Sequence, residues 1–161
     1  MTRYKPVPEP RSRSELERVQ SALPLVPGSV DDCCLALQRR GEVPDREAAQ
    51  EWLPFLVALG LAGERDGDYY RKQVDPETEP LAERFREGVY GVSEVLDALA
   101  ADGPLTAEAA FEATRDLVPR WERNRDPDWE STWRDRTRRC LEWGVELGLV
   151  RGDEADGFGL P

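Results

Sequence analysis

Apolar positions recur along this chain at helical spacing, in blocks, and two of the blocks end alike. Ala48, Ala49, Trp52, Phe55, Leu56 and Leu59 share one face of a helix and run into Gly60-Leu61-Ala62. Trp133, Thr137, Cys140, Trp143, Gly144 and Leu147 share another and run into Gly148-Leu149-Val150. Each Leu-Gly-Leu exit is followed by an acidic, glycine-punctuated turn and then by aromatic residues: Tyr69-Tyr70 after Arg65-Asp-Gly-Asp68, and Phe158 after Asp153-Glu-Ala-Asp-Gly157. Glycine just past an amphipathic run ends a helix, and Asp-Gly between short extended runs makes a hairpin. The pattern predicts a mainly α chain with two small two-stranded β-hairpins.

The remaining elements follow from caps and breakers. Ser14 with Glu17 has capping-box spacing and opens a helix bearing Leu16, Val19 and Leu23. Pro24 and Pro27-Gly28 end it. Ser29 caps a second helix, with Asp31 and Asp32 in its first turn and Val30, Cys33 or Cys34, Leu35 and Leu37 on its buried side. Glu42-Val43-Pro44 is a short extended link. Asp45 caps the helix that reaches Leu59, and Pro54 should kink or restart it. Asp75-Pro76 and Glu79-Pro80 mark residues 75–80 as a linker. Beyond it come helices over about 81–88 and 93–101, the extended Leu105, a Thr106-capped helix to about Val118, a charged stretch, and a long helix from about Asp128 or Ser131 to Leu147.

Laid over one another at their exits, the two halves run in the same order. Each has a helix, a short extended link, a helical region, Leu-Gly-Leu, and strand-turn-strand. This order resembles the winged helix-turn-helix family, in which three helices precede a two-stranded wing. The resemblance implies tandem units over 14–74 and 81–161. With only 45–59 for its second and third helices, the first unit reads as a reduced version. A duplicated chain of this kind can also form a homodimer through one unit.

Composition narrows the chemistry. Arginine supplies twenty of the 22 bases, acids number 33, the formal charge is -11, and there is no histidine. This balance resembles that of a salt-loving archaeon. Without histidine the imidazole base, the Ser-His and Cys-His pairs and the commonest metal ligand are excluded. Phosphate-binding glycine motifs and nucleophile elbows are absent too. The reading is a protein that is not an enzyme and uses no cofactor or metal. Cys33, Cys34 and Cys140 read as buried thiols of a reducing cytoplasm. No apolar run has the roughly 18 residues of a membrane span.

Two stretches depart from the acidic background. Residues 1–13 carry Arg3, Lys5, Arg11 and Arg13 with Pro6, Pro8 and Pro10, and read as a flexible basic arm. Residues 120–139 hold seven arginines against five acids, and four tryptophans fall between 121 and 143. The candidate binding residues are Arg120, Arg123, Arg125, Arg134, Arg138 and Arg139, with Trp121 and Trp129. The leading reading is a DNA-associated regulatory protein that binds through its second unit: the resemblance implies that the third helix of that unit enters a major groove, where Arg134, Arg138 and Arg139 contact duplex DNA. The same residues fit an acidic protein partner, which makes the chain an interaction adaptor. A third reading is a solvated helix whose arginines pair with Glu130, Asp135 and Glu142 at i,i+4. The surface of this helix separates these readings.

Overall fold

Short capped helices and two hairpins make up the chain in the computed structural model, which describes residues 3–161. The helices are α1 Leu16–Ser21, α2 Val30–Arg40, α3 Arg46–Ala58, α4 Leu81–Gly88, α5 Val92–Asp102, α6 Ala107–Ala113, α7 Arg120–Arg125 and α8 Trp129–Glu146. The strands are β1 Ala62–Arg65 paired with β2 Asp68–Arg71, and β3 Arg151–Asp153 paired with β4 Gly157–Gly159, both antiparallel. The chain forms two compact units, Met1–Val89 and Tyr90–Pro161.

In the first unit, Ser29 and Asp45 cap α2 and α3 by accepting from the backbone N–H groups of Asp32 and Ala48. α3 buries Ala49, Trp52, Leu53, Phe55 and Leu56. It continues through Pro54 without a break, so the expected restart is corrected: one lost backbone bond is offset by the burial on either side. Gly60 leaves it at a φ of 76°, and Asp66 and Gly67 turn the hairpin at 53° and 86°. Both central residues of that turn are left-handed, the geometry that matches the twist of paired strands. The buried Gln20 of α1 donates to the carbonyls of Lys72 and Val74 (both 3.0 Å) and ties the hairpin's far end to the core.

Several expectations are corrected in this unit. Ser12 with Glu15 forms the capping box at the start, two residues before Ser14, ahead of a short 3-10 turn. Leu35 is 47% exposed, because Cys33, Cys34 and Leu37 take the buried stripe. The arm is not loose. Val7 is buried, Tyr4 bridges Val89, and Arg11 donates to the carbonyls of Gly41 (2.6 Å) and Glu42. Alternate prolines hold this segment extended in advance, so laying it down costs little further entropy. Residues 1 and 2 of the expected arm lie outside the described residues.

The boundary moves as well. Residues 75–80 do not separate the units, because α4 belongs with α3: Phe85 meets Phe55 edge-on at 6.1 Å, and Arg84 donates to the carbonyl of Leu59. The division falls at Val89 and Tyr90. Nor is the first unit reduced. Gly28 exchanges backbone hydrogen bonds with Tyr69 just before α2, as Leu105 does with Phe158 just before α6. The extended link is therefore Gly28, and 42–44 is only the turn between second and third helices. Three helices and a wing are complete in both units: α1, α2, α3, β1–β2, and α5, α6, α8, β3–β4.

In the second unit, Thr106 caps α6 by accepting from Ala109 N–H. α8 buries Trp133, Thr137, Cys140, Leu141, Trp143 and Gly144. Val150 packs so close to Gly144 that an added Cβ would stand 2.6 Å from its methyl, so the strand following the exit lies directly on the helix. The expected helix to Val118 stops at Ala113, where Thr114 folds its hydroxyl back onto the Ala110 carbonyl (2.8 Å). Such back-bonding competes with the helical ladder.

Candidate functional site

The winged-helix resemblance implies that a partner would meet the third helix, and in the second unit that helix is α8. Trp129, Trp133, Phe111 and Val118 form one cluster, with Tyr90 against Trp133. Arginines face this cluster from outside. Arg123 stands 4.7 Å and Arg115 4.9 Å from the Trp129 ring, and Arg136 lies 4.5 Å from the Trp133 ring. Arg134 covers Phe111 at 5.0 Å. Contacts of this kind are worth about 0.5–1 kcal/mol at exposed sites and more when desolvated.

The eight sequence candidates divide. Arg134 is ion-paired with Glu108 of α6. Arg138 holds Asp135 (2.8 Å) and Glu142 (2.6 Å), and Arg139 holds Asp135 (3.0 Å). Only 18% of the Arg139 side chain is exposed, so it lies along α8 and does not reach outward as the expected contact with duplex DNA requires. The three i,i+4 pairs foreseen from the sequence are all present, with Glu130 reaching Arg134 at 4.0 Å. Arg123 turns inward, donating to the carbonyls of Arg115 (2.6 Å) and Val118 (3.2 Å). Trp129 is half-buried against Phe111, so it serves the core more than the surface. Arg120, Trp121 and Arg125 stay exposed together on α7.

Three residues that matter here were not among the candidates. Glu108 neutralises Arg134 from another helix, 26 residues away, and no local spacing announces such a pair. Glu154 of the β3–β4 turn accepts from the Ala107 N–H (3.2 Å). Arg115 lies between Phe111 and Trp129 and pairs with Glu130 (3.0 Å), whose hydrogen bond raises the guanidinium pKa further. Its position four residues after Phe111 was the available signal.

An open groove of about 380 Å³ runs between the start of α6, the outer side of α8 and the second hairpin. Its charged lining is Glu108, Asp135 and Glu154 against Arg134 and Arg138. Carboxylates therefore outnumber guanidiniums where a third helix and its wing converge. The outer side of α3 is no more basic: Arg46 is held by Asp31 (2.6 Å), and Glu47 is exposed. The enclosed cavity beside Trp133 and Cys140 measures about 20 Å³, room for one water and not for a metabolite. Among the described residues no group of three His, Cys, Asp or Glu is placed to hold a metal, and no helix is long and apolar enough to cross a membrane.

Comparison with known proteins agrees with this architecture. A family model described as the halobacterial double winged helix domain matches residues 2–158. No curated protein and no solved structure matches the chain.

Proposed function

The chain belongs to the halobacterial double winged helix family, and from that premise we propose that it is a non-catalytic regulatory protein that works by binding an acidic protein partner through its second unit. The winged-helix fold is a regulatory one, typically without enzymatic activity, and its partners are DNA or protein. One observation carries the choice between them. The arginines that α8 would offer to a duplex, Arg134, Arg138 and Arg139, are each engaged by a carboxylate of Glu108, Asp135 or Glu142.

Duplex binding gains from unpaired cations that neutralise phosphates and so release the counterions condensed on the DNA, and an arginine already neutralised by a carboxylate contributes little to that release. The groove's own carboxylates would further repel a polyanion. The acidic composition fits a cell at molar salt, where the Debye length falls to about 3 Å and attraction between distant charges vanishes. What remains there is direct contact, which favours apolar anchors and forked hydrogen bonds over diffuse charge.

Direct DNA contact by α8 and the second hairpin is the second reading, favoured by the fold itself. Titration of labelled duplex DNA at rising salt separates the two, using wild type and the R134A/R138A/R139A variant. Under the protein-partner reading both bind the duplex equally and weakly. Tight wild-type binding that the triple variant loses, with a steep salt slope, would establish DNA contact and remove the protein-partner reading.

A further inference from the structure

We propose that the outward face of α7 is the docking surface for an acidic segment of the protein partner, with Trp121 as apolar anchor and Arg120 and Arg125 as carboxylate contacts. The inference rests on the protein-partner reading and gives it a place and a chemistry. Successive helical residues are turned by about 100°, so Arg120, Asn124, Trp121 and Arg125 share a face about 140° wide. All four are exposed, Trp121 to 57%. The other two residues of α7 face the unit. Glu122 accepts from the Trp133 indole N–H (2.9 Å), and Arg123 holds the carbonyls of Arg115 and Val118 beneath the Trp129 ring. The outward face thus carries two guanidiniums and no carboxylate, in a chain of formal charge -11.

Three properties make this face a binding surface and not merely a solvated turn. It is held in place before binding, because both inward side chains are anchored to the core, which lowers the entropy lost on association. Its residue types, tryptophan and arginine, are those that dominate interface energetics. Its charge is complementary to carboxylates, which arginine takes in a forked, two-bond geometry. The matching occupant is a short segment with an apolar side chain between carboxylates. A duplex is the poorer fit: exposed Asp116 and Asp128 precede and follow α7 in the chain, and a long polyanion would run past one or the other.

The test uses the full chain and three fluorescein-labelled probes: a peptide of Glu and Ala with a central Leu, its Lys-for-Glu counterpart, and a duplex oligonucleotide. Binding is read by anisotropy, and an unchanged Tm verifies that each exposed-face variant is folded. The Glu peptide should bind wild type and the R134A/R138A/R139A variant alike, W121A at least about tenfold more weakly, and R120E/R125E not at all. The Lys peptide should not bind wild type. Glu-peptide binding that survives W121A and R120E/R125E overturns the α7 site while leaving a protein partner in place. Duplex binding lost with R120E/R125E overturns it by giving the face to nucleic acid. Duplex binding lost only in R134A/R138A/R139A overturns the underlying protein-partner reading.

Discussion

The two units solve one problem in two ways. Each must join its second helix to its third while covering the apolar side of the third. The first unit uses five residues, 41–45, and the second uses fifteen, 114–128, with α7 inside them. In both, an arginine holds the connection by donating to two of its backbone carbonyls while standing over a tryptophan of the third helix. In the first unit this is Arg11, on Gly41 and Glu42 and 5.8 Å from the Trp52 ring. In the second it is Arg123, on Arg115 and Val118 and 4.7 Å from Trp129. The clamp in the first unit is imported from the N-terminal segment. The clamp in the second is carried by the insertion itself, whose outer face is exposed. The units share their helices and wing and differ in this connection, which is where unlike roles can arise.

The largest effects should test the shared part. Phe55 and Trp143 both lie four residues before their exit leucines, and both are fully buried. Truncating either to Ala should cost about 3–5 kcal/mol in urea unfolding. A cost below about 1 kcal/mol at one of them would show that the two third helices are not equivalent in packing.

The exits themselves should be less alike. Gly60 and Gly148 both turn at positive φ, 76° and 81°. An added Cβ at Gly60 also runs into the Arg84 guanidinium, whereas at Gly148 it meets nothing within 4 Å. Gly148→Ala should therefore cost roughly 1 kcal/mol. Gly60→Ala should cost more, up to roughly 3 kcal/mol, because Arg84 must also release the Leu59 carbonyl. Thermal unfolding of both variants checks the order.

Next come the clamps. Arg11→Ala and Arg123→Ala should each lose about 1.5–2 kcal/mol, the lower part of the range for hydrogen bonds that involve a charged group, because both sites are partly exposed. Hydrogen exchange should localise the loss to 41–45 in one case and to 114–128 in the other. Spread of either effect over its whole unit would show that the clamp holds the core and not the connection.

The effect that is smallest near neutral pH is a slope that appears only at alkaline pH. Burial pushes the Cys140 thiol from 9.0 up to about 12, so the folded state favours its neutral form. The associated stability is complete below pH 9 and is lost as pH rises through 12, at no more than about 1.4 kcal/mol per pH unit. Cys140→Ala should remove that share in urea unfolding at successive alkaline pH values. Cys33 and Cys34, also pushed upward by burial, keep their own share in the first unit. An alkaline slope unchanged by Cys140→Ala would mean that the thiol titrates normally in place.

Much of the fold was legible because its signals are local. Ser29, Asp45 and Thr106 sit at their caps, the two Leu-Gly-Leu exits turn as expected, and the i,i+4 pairs of α8 formed from residues one turn apart. What escaped was carried by tertiary contact. Gly28 has no strand propensity, and only its bond to Tyr69 makes it the extended link. Nothing near Arg11 in the chain points to a turn thirty residues away. The Arg134–Glu108 pair likewise joins two helices. The i,i+4 pairs were foreseen and this cross-helix pair was not, so from sequence the choice between a cationic and a neutralised helix stayed open. Arg120, Trp121 and Arg125 were found by composition alone, but the face they share depends on α7 existing as a separate turn of helix.

The imported clamp has a consequence in time as well as in space. Arg11 must close a span of 30 residues to reach Gly41, whereas Arg123 closes 8 to reach Arg115. On loop-closure grounds the longer span costs about 1.2 kcal/mol more. It also joins residues made earlier to residues made well after them. The second unit can secure its connection as soon as that stretch exists. The first unit must keep its leading segment in reserve until α2 has formed, so whatever is attached to, trimmed from or bound by that segment in the meantime acts on whether the connection at 41–45 is secured.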